Sequence, residues 1–468
     1  MYKKYLSIFS ITIYFFLFSS LASAEYIRKN ASTQAAADDI KALNKALKMM
    51  KAMGCNDPLS WYYQGATHSV PNKVSPNPLC PTYNSLDDLL WGWKTCTHQD
   101  GSEIHFLIWH RLYIAHFEKI VRKLSGKNDF ALPYWNYIYP NNRVMPESFR
   151  TPELALYEAS RLPGLNQGEA IASFMNDNLD VRNLMRNRVF SVFNQSMDRA
   201  PHGAMHVYIG GGYAGNRMWN PIFNNSNKFG LMNQVESAGF DPIFWLHHAN
   251  IDFLWQAWDS SSFGTRPSLA ELQAVPWPYK FFDADGNKKE YTIEEVYHAA
   301  FNLDYRYDVL AMTPELKSNI HQEKVATHLA QSKELVWSRK VEKSSDEKIV
   351  SLTPEQFSSN KKFELFVTTP SNAVVLEVSV SFKSEPKTFY NVYIVNSKGE
   401  KTLVGVMTFF GLEYHANHHE NHNGELQKSF SYDVTSDLPY NGDYTISIEN
   451  QLDKKEVMTV KNISLYKY

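Results

Sequence analysis

Apolar residues recur at helical spacing between Ala35 and Met53, where Ile40, Leu43, Leu47 and Met50 share one face and Gly54 is placed to end the helix. A second helical pattern opens at Phe106 and runs through FLIWHRLYIAHFE, after an aromatic-rich stretch that begins at Trp91. Beyond Trp258 this pattern stops, and a segment with a turn at Asp285-Gly286 follows. Residues from about 315 to 360 are polar and charged, including the run Glu342 to Lys348, and read as a linker. The last hundred residues change period: FELFVTT, AVVLEVSVSF, FYNVYIV, TLVGVMTFF, YTISIEN and VMTVKNISLY are β-rich runs separated by turn residues. The pattern predicts a mainly α domain, a helical bundle over 25–262, and a middle segment over 263–314. A linker over 315–360 and a C-terminal antiparallel β-sandwich over 361–468 complete it.

The first 24 residues have the form of an export signal, with Lys3 and Lys4, an apolar run through Phe18 and Ala22-Ser23-Ala24 as a small-residue cleavage site. The expected mature chain starts near Glu25 and is secreted or periplasmic, with no membrane association after cleavage. A net charge of -2 gives no reason to expect nucleic acid or anionic lipid as partner, and 44% hydrophobic residues suit a folded enzyme. Roughly 440 mature residues exceed what one core usually holds, so at least two domains are expected. Nothing in the sequence speaks to oligomeric state. Three cysteines, Cys55, Cys80 and Cys96, leave at least one free or otherwise used.

Candidate chemistry concentrates between Pro201 and Asp252. In PHGAMH, His202 and His206 are four apart, so on a helix their rings share a face and one ion. In FDPIFWLHHANID, His247 and His248 are adjacent and about a quarter-turn apart, so only one of them is expected to face the first pair. A zinc protease helix would carry Glu directly after its first histidine; here that place is Gly203, which counts against a zinc hydrolase. Imidazole donors without thiolate or carboxylate suit copper or zinc, and a second site of the same kind favours a copper pair. WYYQGATH ends in His68, and Trp91 to Glu118 holds His98, His105, His110 and His116. His68, His98 and His110 form the expected second set.

At these residues the chain resembles the type-3 copper proteins: tyrosinases, catechol oxidases (plant polyphenol oxidases) and molluscan hemocyanin units. WHRLYIAHFE is similar to the family's copper A helix and DPIFWLHHANID to its copper B signature, over residues from about 35 to 260. The resemblance implies two copper ions held by His68, His98, His110 and by His202, His206, His248, with His247 a neighbour. It implies oxidation of a phenolic small molecule, a catechol, to an o-quinone by O2. Cys96-Thr97-His98 resembles the Cys-x-His in which the sulfur is bonded to the ligand ring, which would leave Cys55 and Cys80 to form a disulfide. Phe244 matches the gate residue over the copper A side. Asp198 stands where the family often has a water-holding Glu, and either holds that water or is a solvated loop acid; Gly203 stands where monophenol-active members often carry Asn, which favours diphenol oxidation over hydroxylation.

The sequence departs from the family's pattern in places. The stretch between His98 and His110 is three residues longer than usual, so His105 competes with His98 as a ligand. Phe253 replaces the usual Arg after Asp252, which leaves the partner of Asp252 open. In plant polyphenol oxidases a domain in the position of the C-terminal sandwich covers the copper site, so by resemblance this one either shields the site or is a structural or partner-binding module that leaves it open. His415, His418, His419 and His422 form a histidine-rich loop that either handles metal or is simply solvated. A hemocyanin-like oxygen carrier and, behind it, a zinc hydrolase are the alternatives to the oxidase.

Overall fold

The computed structural model describes residues 26–71, 79–80, 91–97, 104–311, 333–344, 349–352, 373–412, 425–438, 444–452 and 458–468. The expected export signal, His98 and the histidine-rich loop lie outside these residues, as does the FELFVTT run.

Six helices position the site. Helix α1 (Ala37–Ala52) buries Ile40, Leu43, Leu47 and Met50 and packs on α3 (Phe106–Ser125), while α2 (Trp61–His68) starts at the N-cap Ser60. A kinked turn over Asp198–Gly203 joins α4 (Phe190–Met197) to α5 (Ala204–Ile209). Helix α6 (Pro242–Asp259) is buried nearly all round, so it is the central rod of the bundle. Its start follows from its sequence: the Asp241 carboxylate caps Ile243 N at 3.0 Å and Pro242 fills the first turn, where no amide donor is needed. Arg161, itself buried, pairs with the same carboxylate at 2.6 Å.

At the N-terminal edge, β1 (Tyr26–Arg28) pairs in parallel with β2 (Tyr305–Tyr307). The expected turn at Asp285-Gly286 closes a hairpin between Tyr279–Phe282 and Lys288–Tyr291, with Gly286 at φ 82°, a conformation that favours glycine. Cys55 and Cys80 form a disulfide. No helix among the described residues is long and apolar enough to cross a membrane.

The C-terminal unit is the expected antiparallel sandwich, built from β3 (Glu334–Ser344), β4 (Ile349–Leu352), β5 (Val374–Phe382), β6 (Tyr390–Asn396), β7 (Lys401–Met407), β8 (Leu426–Asp433), β9 (Tyr444–Asn450) and β10 (Met458–Lys467). One sheet has the order β7-β6-β9-β4 and the other β8-β5-β10-β3. Their inner faces enclose a separate apolar core that includes Val378, Phe409, Phe430 and Ile448. Strands β3 and β4 correct the expected linker: both lie inside 315–360. They read as linker because each is a sheet edge, where polar residues are tolerated; Leu335 is exposed while Trp337 and Val341 pack on the core.

The two units meet along α4 and the kinked turn. Ser196 Oγ donates to Ser431 O (3.1 Å), Arg186 pairs with Asp437 (2.7 Å), and Asn391 donates to Asp177 (2.6 Å). Val189 and Val192 pack against Ala373 and Val375. The sandwich is therefore docked on the face of the bundle that carries His202 and His206.

Candidate metal centre

His68 is the last residue of α2, and Gly65 in that helix lets the Phe240 ring approach to a distance that no side chain would allow. The chain from Lys94 to Cys96 runs alongside this helix end, with the amides of residues 94, 95 and 96 donating to the carbonyls of Ala66, Thr67 and His68. That ladder brings Cys96 beside His68 and His110, one turn into α3; its Sγ is 3.4 Å from His110 Nε2. Burial, and after it the charge of Asp198, pushes the Cys96 thiol of the unbonded chain up.

His202, His206, His247 and His248 form the second group. His202 and His206 have ring centroids 4.5 Å apart, as their spacing implies. Both adjacent histidines face that pair, which corrects the expectation of only one: His247 lies 5.2 and 4.8 Å from His202 and His206, and His248 lies 5.0 and 5.8 Å from them. Adjacent positions on α6 differ by about 100°, which still leaves both rings within reach of the first pair. His247 Nδ1 is hydrogen-bonded to the Tyr137 hydroxyl at 2.8 Å. The groups touch through His110 and His248, whose rings are parallel at 4.2 Å.

Four of these rings are held in the same way. Nδ1 of His68 donates to Val235 O (3.0 Å), that of His110 to Phe106 O (2.8 Å), that of His202 to Asp198 O (3.0 Å) and that of His206 to Met232 O (2.8 Å). A proton fixed on Nδ1 leaves Nε2 as the lone-pair nitrogen, the tautomer a metal needs. Among the described residues, His248, 1% exposed, has no hydrogen-bond partner on either ring nitrogen, and His247 has none on Nε2. Unpaired buried polar atoms cost about 1–3 kcal/mol each, which coordination would offset. Burial, then neighbouring histidines, holds both rings well below the usual histidine range, hence neutral and ready as donors. Buried donors in two adjoining groups, mostly imidazoles, suit two copper ions.

His105 does not join them. Its Nδ1 meets the Tyr279 hydroxyl at 2.8 Å and its Nε2 meets Val275 O, so both nitrogens are committed to the middle segment. His116 is likewise committed, to Phe282 O and the Tyr291 hydroxyl, and burial lowers it to about 4.

Phe244 lies one turn before His248, with its ring 4.2 Å from His248, 4.9 Å from His68 and 5.9 Å from His206. Asp198 is buried, and its carboxylate is 3.2 Å from His202 Nδ1 and 3.4 Å from Arg199. Asp252 has two charged partners that sequence reasoning missed. Arg111, next to His110, reaches Oδ1 at 2.5 Å, and Arg28 of β1 reaches Oδ2 at 2.9 Å; the Tyr305 and Tyr307 hydroxyls also donate to it. Burial opposes the charge, but Arg111 and Arg28 hold the carboxyl below its usual range. Phe253 packs on Tyr134 and Tyr307, so the position after Asp252 is aromatic core and the cation comes from the N-terminal strand instead.

The sandwich contributes one further residue. After β7 the chain turns toward the bundle: Thr408 Oγ1 donates to Arg199 O (2.7 Å), and the buried Phe410 ring stacks on His206 at 4.3 Å and meets His202 edge-on at 5.8 Å. Its position in TLVGVMTFF gave no signal beyond strand.

The family model for the common central domain of tyrosinase matches residues 58–168 and 141–261. Tyrosinase HcTyr1 of Hahella sp. (strain CCB-MM4) is 30% identical over 298 residues, covering 55% of this chain and 58% of that protein. The chloroplastic polyphenol oxidase of Malus domestica is 25% identical over 295 residues, 56% of this chain and 45% of the relative. The match thus spans about half the length of these curated relatives. Among solved structures, a latent aurone synthase (polyphenol oxidase) superposes with a TM-score of 0.65 at 16% identity, covering 95% of this chain and 90% of its own. A latent apple tyrosinase gives 0.60 at 18%, covering 94% and 97%. At such identities these likenesses establish the fold, a helical core followed by a C-terminal domain. With both histidine groups inside residues 58–261, this part of the chain matches the common central domain of tyrosinase.

Proposed function

We propose that this protein is an exported oxidase that converts o-diphenols to o-quinones with O2, and that the full chain is latent. In this reading His68, His98 and His110 hold one copper and His202, His206 and His248 the other. Bound copper supplies the electron transfer: each catechol yields two electrons and two protons, and one O2 takes up those from two catechols to give two waters. The chain's own residues set the conditions. Carbonyl-anchored imidazoles keep their donor nitrogens inward, and Phe244 with the surrounding aromatic side chains excludes water. Cys96 is read as bonded to His98, fixing that ring.

The Asp198 carboxylate faces His202 and Arg199, which supports a role in orienting His202 over one in holding a water. With Gly203, this favours diphenol oxidation over hydroxylation of monophenols.

The observation that carries latency is Phe410. An apolar ring stacked on His206 occupies the face of the copper B group where an aromatic substrate would lie. The test is copper content with oxygen uptake on catechol and on tyrosine, for the full chain and for one cut between residues 312 and 332, ahead of the first sandwich strand. Two coppers per chain, with catechol turnover that rises on cutting, is the expected result. Two coppers without turnover in either form would favour the oxygen carrier, and zinc or no metal would overturn the reading.

A further inference from the structure

We propose that Gly203 is the seat of the shielding segment: its missing side chain is what lets residues 408–410 close over the copper B group. The proposal rests on the latency reading above and names the position in the bundle that sets how tightly the shield closes.

A Cβ at position 203 would lie 3.0 Å from Asp198 O, 3.1 Å from Phe410 Cβ and 3.3 Å from Thr408 Oγ1, all tighter than nine in ten real Cβ contacts. One of the three must give. Asp198 O is backbone in the kinked turn and accepts from His202 Nδ1 at 3.0 Å, so moving it would turn a ligand ring. The other two atoms belong to a segment leaving a strand, anchored here by the Thr408 bond to Arg199 O and by the Phe410 ring on His206. That segment is the softer neighbour, so a side chain at 203 displaces it first.

The same position follows the ligand His202 directly, so whatever stands there borders both the substrate face and the shield. A polar side chain at 203 facing substrate and a fully closed 408–410 segment exclude each other. The choice of glycine is thus tied to latency as well as to the preference for diphenols.

The experiment compares full-length and cut forms of the wild type, Gly203→Ala and Gly203→Asn, each checked for two coppers per chain. It reads the ratio of catechol turnover after and before cutting, together with amide exchange over residues 404–412. Gly203→Ala is expected to lower the ratio about tenfold, which a strain of about 1.4 kcal/mol produces in a two-state equilibrium, and Gly203→Asn more. Both should speed amide exchange in 404–412. In a Phe410→Gly background, which removes the contacted Cβ, Gly203→Ala should change the ratio much less. A wild-type ratio and wild-type exchange in both glycine variants overturn the proposal while leaving latency standing. A wild type that gains nothing on cutting overturns the latency reading itself; the exchange data then decide, and unchanged protection over 404–412 overturns the seat as well.

Discussion

The two histidine groups are built by different means. In the copper B group, His202 and His206 come from one turn and its helix, and His247 and His248 are neighbours on α6. In the copper A group, His68 closes α2, His110 opens α3, and Cys96 arrives on an irregular strand laid against the end of α2. Each group has one ring anchored four residues back, His110 to Phe106 O and His202 to Asp198 O. The other anchor of the copper A group, His68 to Val235 O, spans 167 residues, and that of the copper B group, His206 to Met232 O, only 26. A group held by local spacing tolerates change elsewhere in the fold. A group gathered from three elements depends on the packing that brings them together.

The largest effect should come from removing a donor. His206→Gln is expected to drop copper from two to one per chain and to lower catechol turnover by more than about a hundredfold, beyond the 10–100-fold cost of losing an outer hydrogen-bond partner. Metal analysis and oxygen uptake check it. Copper lost in equal measure from both groups would break the distinction between them.

Next comes the tie between the halves. Asp252 on α6 pairs with Arg111, the residue after His110, and with Arg28, so one carboxylate locks the helices carrying both groups. Asp252→Asn leaves the buried Arg111 guanidinium without its carboxylate and Arg28 with Glu118 alone, and should cost about 3–5 kcal/mol of stability, measured by denaturant unfolding. Because the carboxyl is held below its usual range, this stability is present above the unfolded-state value. It is lost as pH falls through the folded one, so the wild type should approach the variant in acid. A difference that persists unchanged at low pH would refute the ion-pair account.

The smallest effect concerns Cys96. Cys96→Ser should keep two coppers at saturation but weaken the copper A group by about 10–100-fold. The wild-type peptide holding Cys96 and His98 should be lighter than its sequence mass by two hydrogens. An unmodified peptide with unchanged copper affinity would remove Cys96 from the site and make the copper A group as locally held as its partner.

The helices at 37–52 and 106–125 were legible because their apolar positions repeat at the period of a buried face. The sandwich was legible from β-rich runs, but β3 and β4 were not. Edge strands carry polar residues, and a linker looks the same until a partner strand is seen. His105 against His98 could not be separated by spacing alone; the hydrogen bonds to Tyr279 and Val275, about 170 residues on, commit His105 elsewhere.

What the sequence determined by itself is the chemistry on offer: imidazoles at helical spacing, an odd cysteine beside one of them, a bundle followed by a sandwich. These depend on period and residue type, which are local. Only the tertiary structure decided which groups meet: both His247 and His248 facing His202 and His206, two arginines on Asp252, and Phe410 on His206 against a glycine that leaves it room. Those contacts join residues up to a few hundred positions apart, and no local preference of the chain encodes them; they exist because burying the faces of α6 and of the sandwich leaves few arrangements that satisfy both.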